Sequence, residues 1–124
     1  MSPGDCAPAP DWLGAVLQQG IVVRGATLSN VNVLPADGFS SGPPELQTGA
    51  FAAAWWVAGK VSGAGVRPEV ALWLTNRTRQ DQDGQILAVD AAAQRYSDFA
   101  RPSDAISGPG VDEVRACVGP IPES

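Results

Sequence analysis

The chain of 124 residues is the length of one domain with a single hydrophobic core. Its formal net charge is −5, and the basic residues, seven arginines and Lys60, are scattered, so no cationic patch can displace counterions from nucleic acid or dock on an anionic membrane surface. The sequence has no histidine, which excludes Ser-His-Asp triads, Cys-His dyads and His-based metal sites.

Residues 1–10 are a flexible Pro-rich leader ending in Cys6-Ala7-Pro8-Ala9-Pro10. It has neither a charged n-region nor an apolar h-region, so if the protein is exported its targeting segment or membrane anchor is expected upstream. A single domain is expected over residues 11–119, with 120–124 as a tail. Asp11 can cap an amphipathic helix in which Trp12, Leu13, Val16 and Leu17 share a side, and Gly20 would be its left-handed stop. Ile21-Val22-Val23 follows, then Thr27 to Leu34, where Val31 and Val33 alternate with Asn30 and Asn32 as in a half-buried strand. Two short strands or one bent strand both fit. Residues 35–49 are rich in Gly, Pro and Ser and read as a long loop, either functional or mobile.

The run 51–61 reads as a long central strand, Ser62-Gly63-Ala64-Gly65 as a turn and residues 69–76 as the antiparallel partner. Asp81-Gln82-Asp83-Gly84 makes a second turn before a returning strand at 85–89. Asp90 caps a helix in which Ala92, Tyr96 and Phe99 form an i, i+4, i+7 stripe. A last helix spans 111–118, with Val111, Val114 and Val118 on one side and Cys117 beside them. The expected fold is α+β: an antiparallel sheet of about four strands, with an N-terminal helix and two C-terminal helices packed on one face, and one disulfide. That bridge joins Cys6 to Cys117, the only cysteines, at opposite ends of the domain. Closing so long a loop stabilises a fold by up to ~4.7 kcal/mol in the chain-entropy account, and structural disulfides belong to oxidising compartments. Two thiolates without histidine leave zinc short of ligands, so no metal and no cofactor is expected.

Several constellations invite a chemical reading. Lys60 lies two residues from Ser62, but a hairpin strand end supplies no oxyanion hole for a Ser-Lys dyad. Asp81, Asp83, Asp90 and Asp98 could furnish a glycosidase-type carboxylate pair, although turn formation and helix capping account for most of them. A calcium-loop alignment puts Asp81, Asp83, Gly84 and Asp90 at the third, fifth, sixth and twelfth positions and fails at the first, where Arg79 stands. The tryptophans carry more. Alternation sends Trp55 and Trp56 to opposite faces, with Trp56 among Ala52, Ala54 and Ala58, and places Trp73 between Ala71 and Thr75. A large indole bordered by small side chains leaves a shallow concavity, so Trp56 and Trp73 are the candidate contact surface; the competing reading makes both indoles plain core. The Asn76-Arg77-Thr78 sequon matters only in a eukaryotic secretory pathway.

The succession Trp56-Val57-Ala58-Gly59-Lys60-Val61-Ser62-Gly63-Ala64-Gly65, Ala71-Leu72-Trp73-Leu74-Thr75-Asn76 and Ile86-Leu87-Ala88-Val89-Asp90, with Tyr96-Ser97-Asp98-Phe99 and a late cysteine, resembles the extracellular domain of uncharacterised actinobacterial membrane-anchored proteins. The likeness covers about half the chain and its motifs are structural. It implies export and a small α+β domain, and no activity. The expected function is a non-catalytic extracytoplasmic binding or accessory module of a bacterial cell envelope, secreted or anchored on the outer side. It would bind a small apolar ligand or an envelope protein; the alternative is a small carboxylate-dependent hydrolase.

Overall fold

The central strands are apolar on both faces, and strands of that kind must be covered from both sides. The computed structural model describes residues 7–36, 54–63, 65–76, 84–102, 106, 108 and 110–118, and for 66 and 67 the backbone alone. Five antiparallel strands lie in the order β1 (Ala7–Pro8), β2 (Thr27–Pro35), β3 (Trp55–Gly63), β4 (Val66–Thr75) and β5 (Ile86–Ala88). Helix α1 (Asp11–Gly20) follows β1, α2 (Ala91–Tyr96) follows β5, and α3 (Val111–Val118) comes last.

Two apolar clusters form, one on each face of the sheet. Leu13 and Leu17 of α1 with Ala92, Ala93 and Tyr96 of α2 pack on Val33, Val57, Val61, Ala71, Trp73 and Ala88. Val114 and Val118 of α3 pack on Leu34, Trp56, Ala58, Leu72, Leu74 and Leu87. The sheet is therefore the middle of three layers, which corrects the expectation of all helices on one face. The signal was in the strands: Trp55 and Val57 on one side, and Trp56 and Ala58 on the other, are equally apolar.

The strand count also rises from about four to five, because Ala7–Pro8, assigned to the leader, pairs with β2 through Ala7 opposite Val33 and Pro8 opposite Asn32. The ladder continues in a bond from the Ala9 N–H to the Val31 carbonyl at 2.8 Å. The β2–β3 pairing shifts register between Ser29 and Asn32, a bulge in which Asn30 takes φ of 52°. Residues 37–53, including most of the long Gly/Pro/Ser loop, and residues 77–83 of the second turn lie outside the described residues.

Helix ends account for two further differences. The N-cap of α1 is Pro10, with no side-chain cap bond, and Asp11 is the first helical residue, where its charge complements the helix dipole. Gly20 is not among the glycines of positive φ, so it is no left-handed stop. It is required for space: a Cβ there would stand 2.4 Å from the Phe99 ring. Phe99 itself lies beyond the end of α2 and packs back on the α1/α2 cluster. The cap of α2 agrees with expectation, since an Asp90 carboxylate oxygen accepts the Ala93 N–H at 2.8 Å.

Candidate functional site

Trp56 and Trp73, expected to present an open contact face, both have a relative exposure of 0%. The alternation that separates Trp55 from Trp56 is present, but each face has its own cover. Helix α3 lies over Trp56, and α1 and α2 lie over Trp73. The Trp73 indole N–H donates to Ser97 Oγ at 3.0 Å, and that hydroxyl donates in turn to the Ala93 carbonyl, so the polar end of the ring is satisfied inside the core. Gly110, just before α3, approaches the other indole so closely that a Cβ would lie 3.2 Å from Trp56 Cδ1. Both indoles are therefore core side chains, and neither forms an open concave seat. The half-buried indoles are Trp12 and Trp55, both against the α1/α2 cluster.

The carboxylates divide. Asp81 and Asp83 lie outside the described residues, as does Arg79 of the calcium-loop alignment. Asp98 is exposed. Among the described residues the contacts of Asp90 are structural: Oδ1 accepts the N–H groups of Leu72 at 3.2 Å and Ala93 at 2.8 Å, and Oδ2 accepts from Arg115 at 2.8 Å. Among the described residues no group of three or more His, Cys, Asp or Glu side chains is arranged to hold a metal ion. Arg95 reaches Glu69 at 3.4 Å and lies 5.3 Å over the Tyr96 ring; the Tyr96 hydroxyl, more than the Glu69 charge, raises its pKa further above the ordinary arginine value.

Among the described residues, one stretch of sheet surface carries no helix. Helix α3 covers only the half of its face built on Leu34, Trp56, Ala58, Leu72 and Leu74. Toward the β3–β4 turn the same face continues through Lys60 and Ser62. Pairing brings Ser29 and Val70 into one row with Lys60, and Thr27 opposite Ser62. Thr27 and Ser29 are exposed, and Lys60, Ser62 and Val70 are half-exposed. In the sequence Lys60 and Ser62 stand out only as a candidate dyad. The change along β3 from Trp56 and Ala58 to Lys60 and Ser62 was the signal that this face becomes polar.

The surroundings of Cys117 form the second notable feature. Cys117 lies half-exposed in the last turn of α3, and none of the cysteines among the described residues is a free thiol. Cys6 lies outside those residues, one position before β1. Asn32, opposite Pro8 of β1, donates to the Cys117 carbonyl at 3.4 Å, and Asn30 donates to the Val118 carbonyl. Two β2 amides thereby satisfy carbonyls that the end of α3 leaves without helical partners. The polar half of the β2 alternation is a helix cap, a role that strand periodicity does not reveal.

No family model, curated protein or solved structure matches this chain. No helix among the described residues is long and apolar enough to cross a membrane.

Proposed function

We propose that the chain is a non-catalytic extracytoplasmic module of a bacterial cell envelope that works by contact, through the half of the sheet left open beside α3. The observation that supports the location is the meeting of β1 and the end of α3 at Asn32, which lies opposite Pro8, two residues after Cys6, and whose side chain donates to the carbonyl of Cys117. A Cys6–Cys117 bridge fits that meeting and the lack of a free thiol among the described residues. Such a bridge suits an oxidising compartment, the same location that the likeness to membrane-anchored extracellular domains implies. The contact surface, one cation among hydroxyls and Val70, favours a polar, anionic envelope component over a small apolar ligand. The hydrolase alternative loses support at Asp90, whose two oxygens are committed to backbone and Arg115.

Amide chemical-shift mapping against soluble peptidoglycan fragments and an anionic wall glycopolymer tests this reading. Shifts should cluster on Ser29, Lys60, Ser62 and Val70 and weaken in Lys60→Glu. Shifts confined to the α1/α2 face would contradict the assignment of the surface. Turnover of a glycoside or ester substrate that disappears in Asp81→Asn, Asp83→Asn or Asp98→Asn would overturn the non-catalytic reading.

A further inference from the structure

The outer edge of β2 is guarded at three successive places, and the guards differ in how they are held. At its start the Gln18 side chain of α1 pairs with the backbone like a short strand: Oε1 accepts the Leu28 N–H at 2.8 Å, and Nε2 donates to the Ala26 carbonyl at 3.2 Å. Next comes the bulge, where Asn30 with φ of 52° turns the chain out of a regular ladder. Unpaired edges invite strand addition, and side-chain mimicry and bulges both blunt them. Both guards are fixed in the packed body of the domain.

The third guard is β1. Only Ala7 and Pro8 form it, both exposed, with the Ala9 N–H extending the ladder. In an antiparallel pair hydrogen-bonded positions alternate with non-bonded ones, so Ala7 and Ala9 face β2 and Pro8 stands between them. A proline there costs the ladder no donor and denies one to any further strand on the outside. So short a strand with exposed side chains has little burial of its own to hold it in place.

We propose that β1 is a redox-released strap: the Cys6–Cys117 bridge holds it on β2, and reduction by a dithiol lets it go and uncovers the backbone of the β2 edge at residues 31–33. This inference rests on the bridge assigned under the proposed function. In the reducing step a thiolate of the dithiol attacks one bridge sulfur and displaces the other cysteine as a thiolate. The second thiol of the reductant then breaks the mixed disulfide, closing the reductant's own disulfide. Two electrons and two protons pass to the protein, which gains two thiols.

Amide hydrogen exchange on the oxidised protein, the dithiol-treated protein and the Cys6→Ser/Cys117→Ser double variant tests the strap, with intact mass read on the same samples. Exchange at Ala9 and Val33 should accelerate by about tenfold or more in the reduced and double-variant forms, while Trp73 and Leu74 keep their protection. A mass gain of two hydrogens without faster exchange at Ala9 and Val33 overturns the strap and leaves the bridge standing. No mass gain on reduction overturns the bridge, and the strap with it.

Discussion

Arg115 of α3 donates to Asp90 at 2.8 Å, and Asp90 is the N-cap of α2, so one ion pair ties together helices that lie on opposite faces of the sheet. The two partners are not equivalent. Asp90 also accepts the Leu72 N–H, standing in for a strand residue where the β4–β5 ladder ends.

Replacing Asp90 and Arg115 separately should therefore give very different losses. Asp90→Ala removes a helix cap, about 0.5–2 kcal/mol, and leaves the Leu72 N–H without its acceptor, a further ~1–3 kcal/mol. Arg115 has a side chain 42% exposed, so Arg115→Ala removes a largely solvated pair worth about 1 kcal/mol or less. Thermal unfolding checks the asymmetry: at roughly 4 °C per kcal/mol, Asp90→Ala should lower Tm several times more than Arg115→Ala.

The tryptophans make a second prediction, because two are buried completely and two are not. Acrylamide quenching of indole fluorescence should lose no quenchable component in Trp56→Phe or Trp73→Phe and should lose one in Trp12→Phe or Trp55→Phe. Trp73→Phe should also destabilise the fold, since it leaves the buried Ser97 hydroxyl without the indole donor.

How legible these features were depended on whether local pattern or tertiary choice decided them. The Asp90 cap, the valine side of α3 and the opposite facing of Trp55 and Trp56 follow from short-range geometry and were readable. The face that α3 occupies was not, because an amphipathic stripe says that a helix is buried and leaves open on which side of a sheet with two apolar faces. Strand β1 has too few residues to show a period. For Gly20 the sequence suggested a backbone reason, and the structure supplies a steric one from Phe99, 79 positions away and invisible to any local rule. The open row of Ser29, Lys60 and Val70 needed the pairing register, which the β2 bulge resets.

Gly110 offers a third prediction, at the contact between the α3 entry and the sheet. It has φ of +99°, and a Cβ would lie 2.8 Å from Leu34 Cδ2 as well as against Trp56. Gly110→Ala should combine left-handed strain of about 1–2 kcal/mol with overpacking of about 1–3 kcal/mol. Gly20→Ala involves the steric cost alone, so Phe99→Ala should rescue much of it, whereas Leu34→Ala should rescue Gly110→Ala only in part. Denaturant midpoints of the single and double variants check both statements.

The Cys6–Cys117 bridge is tested most directly by the intact mass and melting temperature of the folded protein, made in an oxidising compartment, before and after reduction. With the bridge in place there should be no alkylatable thiol before reduction, a gain of two hydrogens after it, and a fall in Tm of roughly 10 °C or more from the loss of up to ~4.7 kcal/mol of chain restraint. Two thiols that alkylate in the untreated folded protein, with a Tm indifferent to reductant, would contradict it.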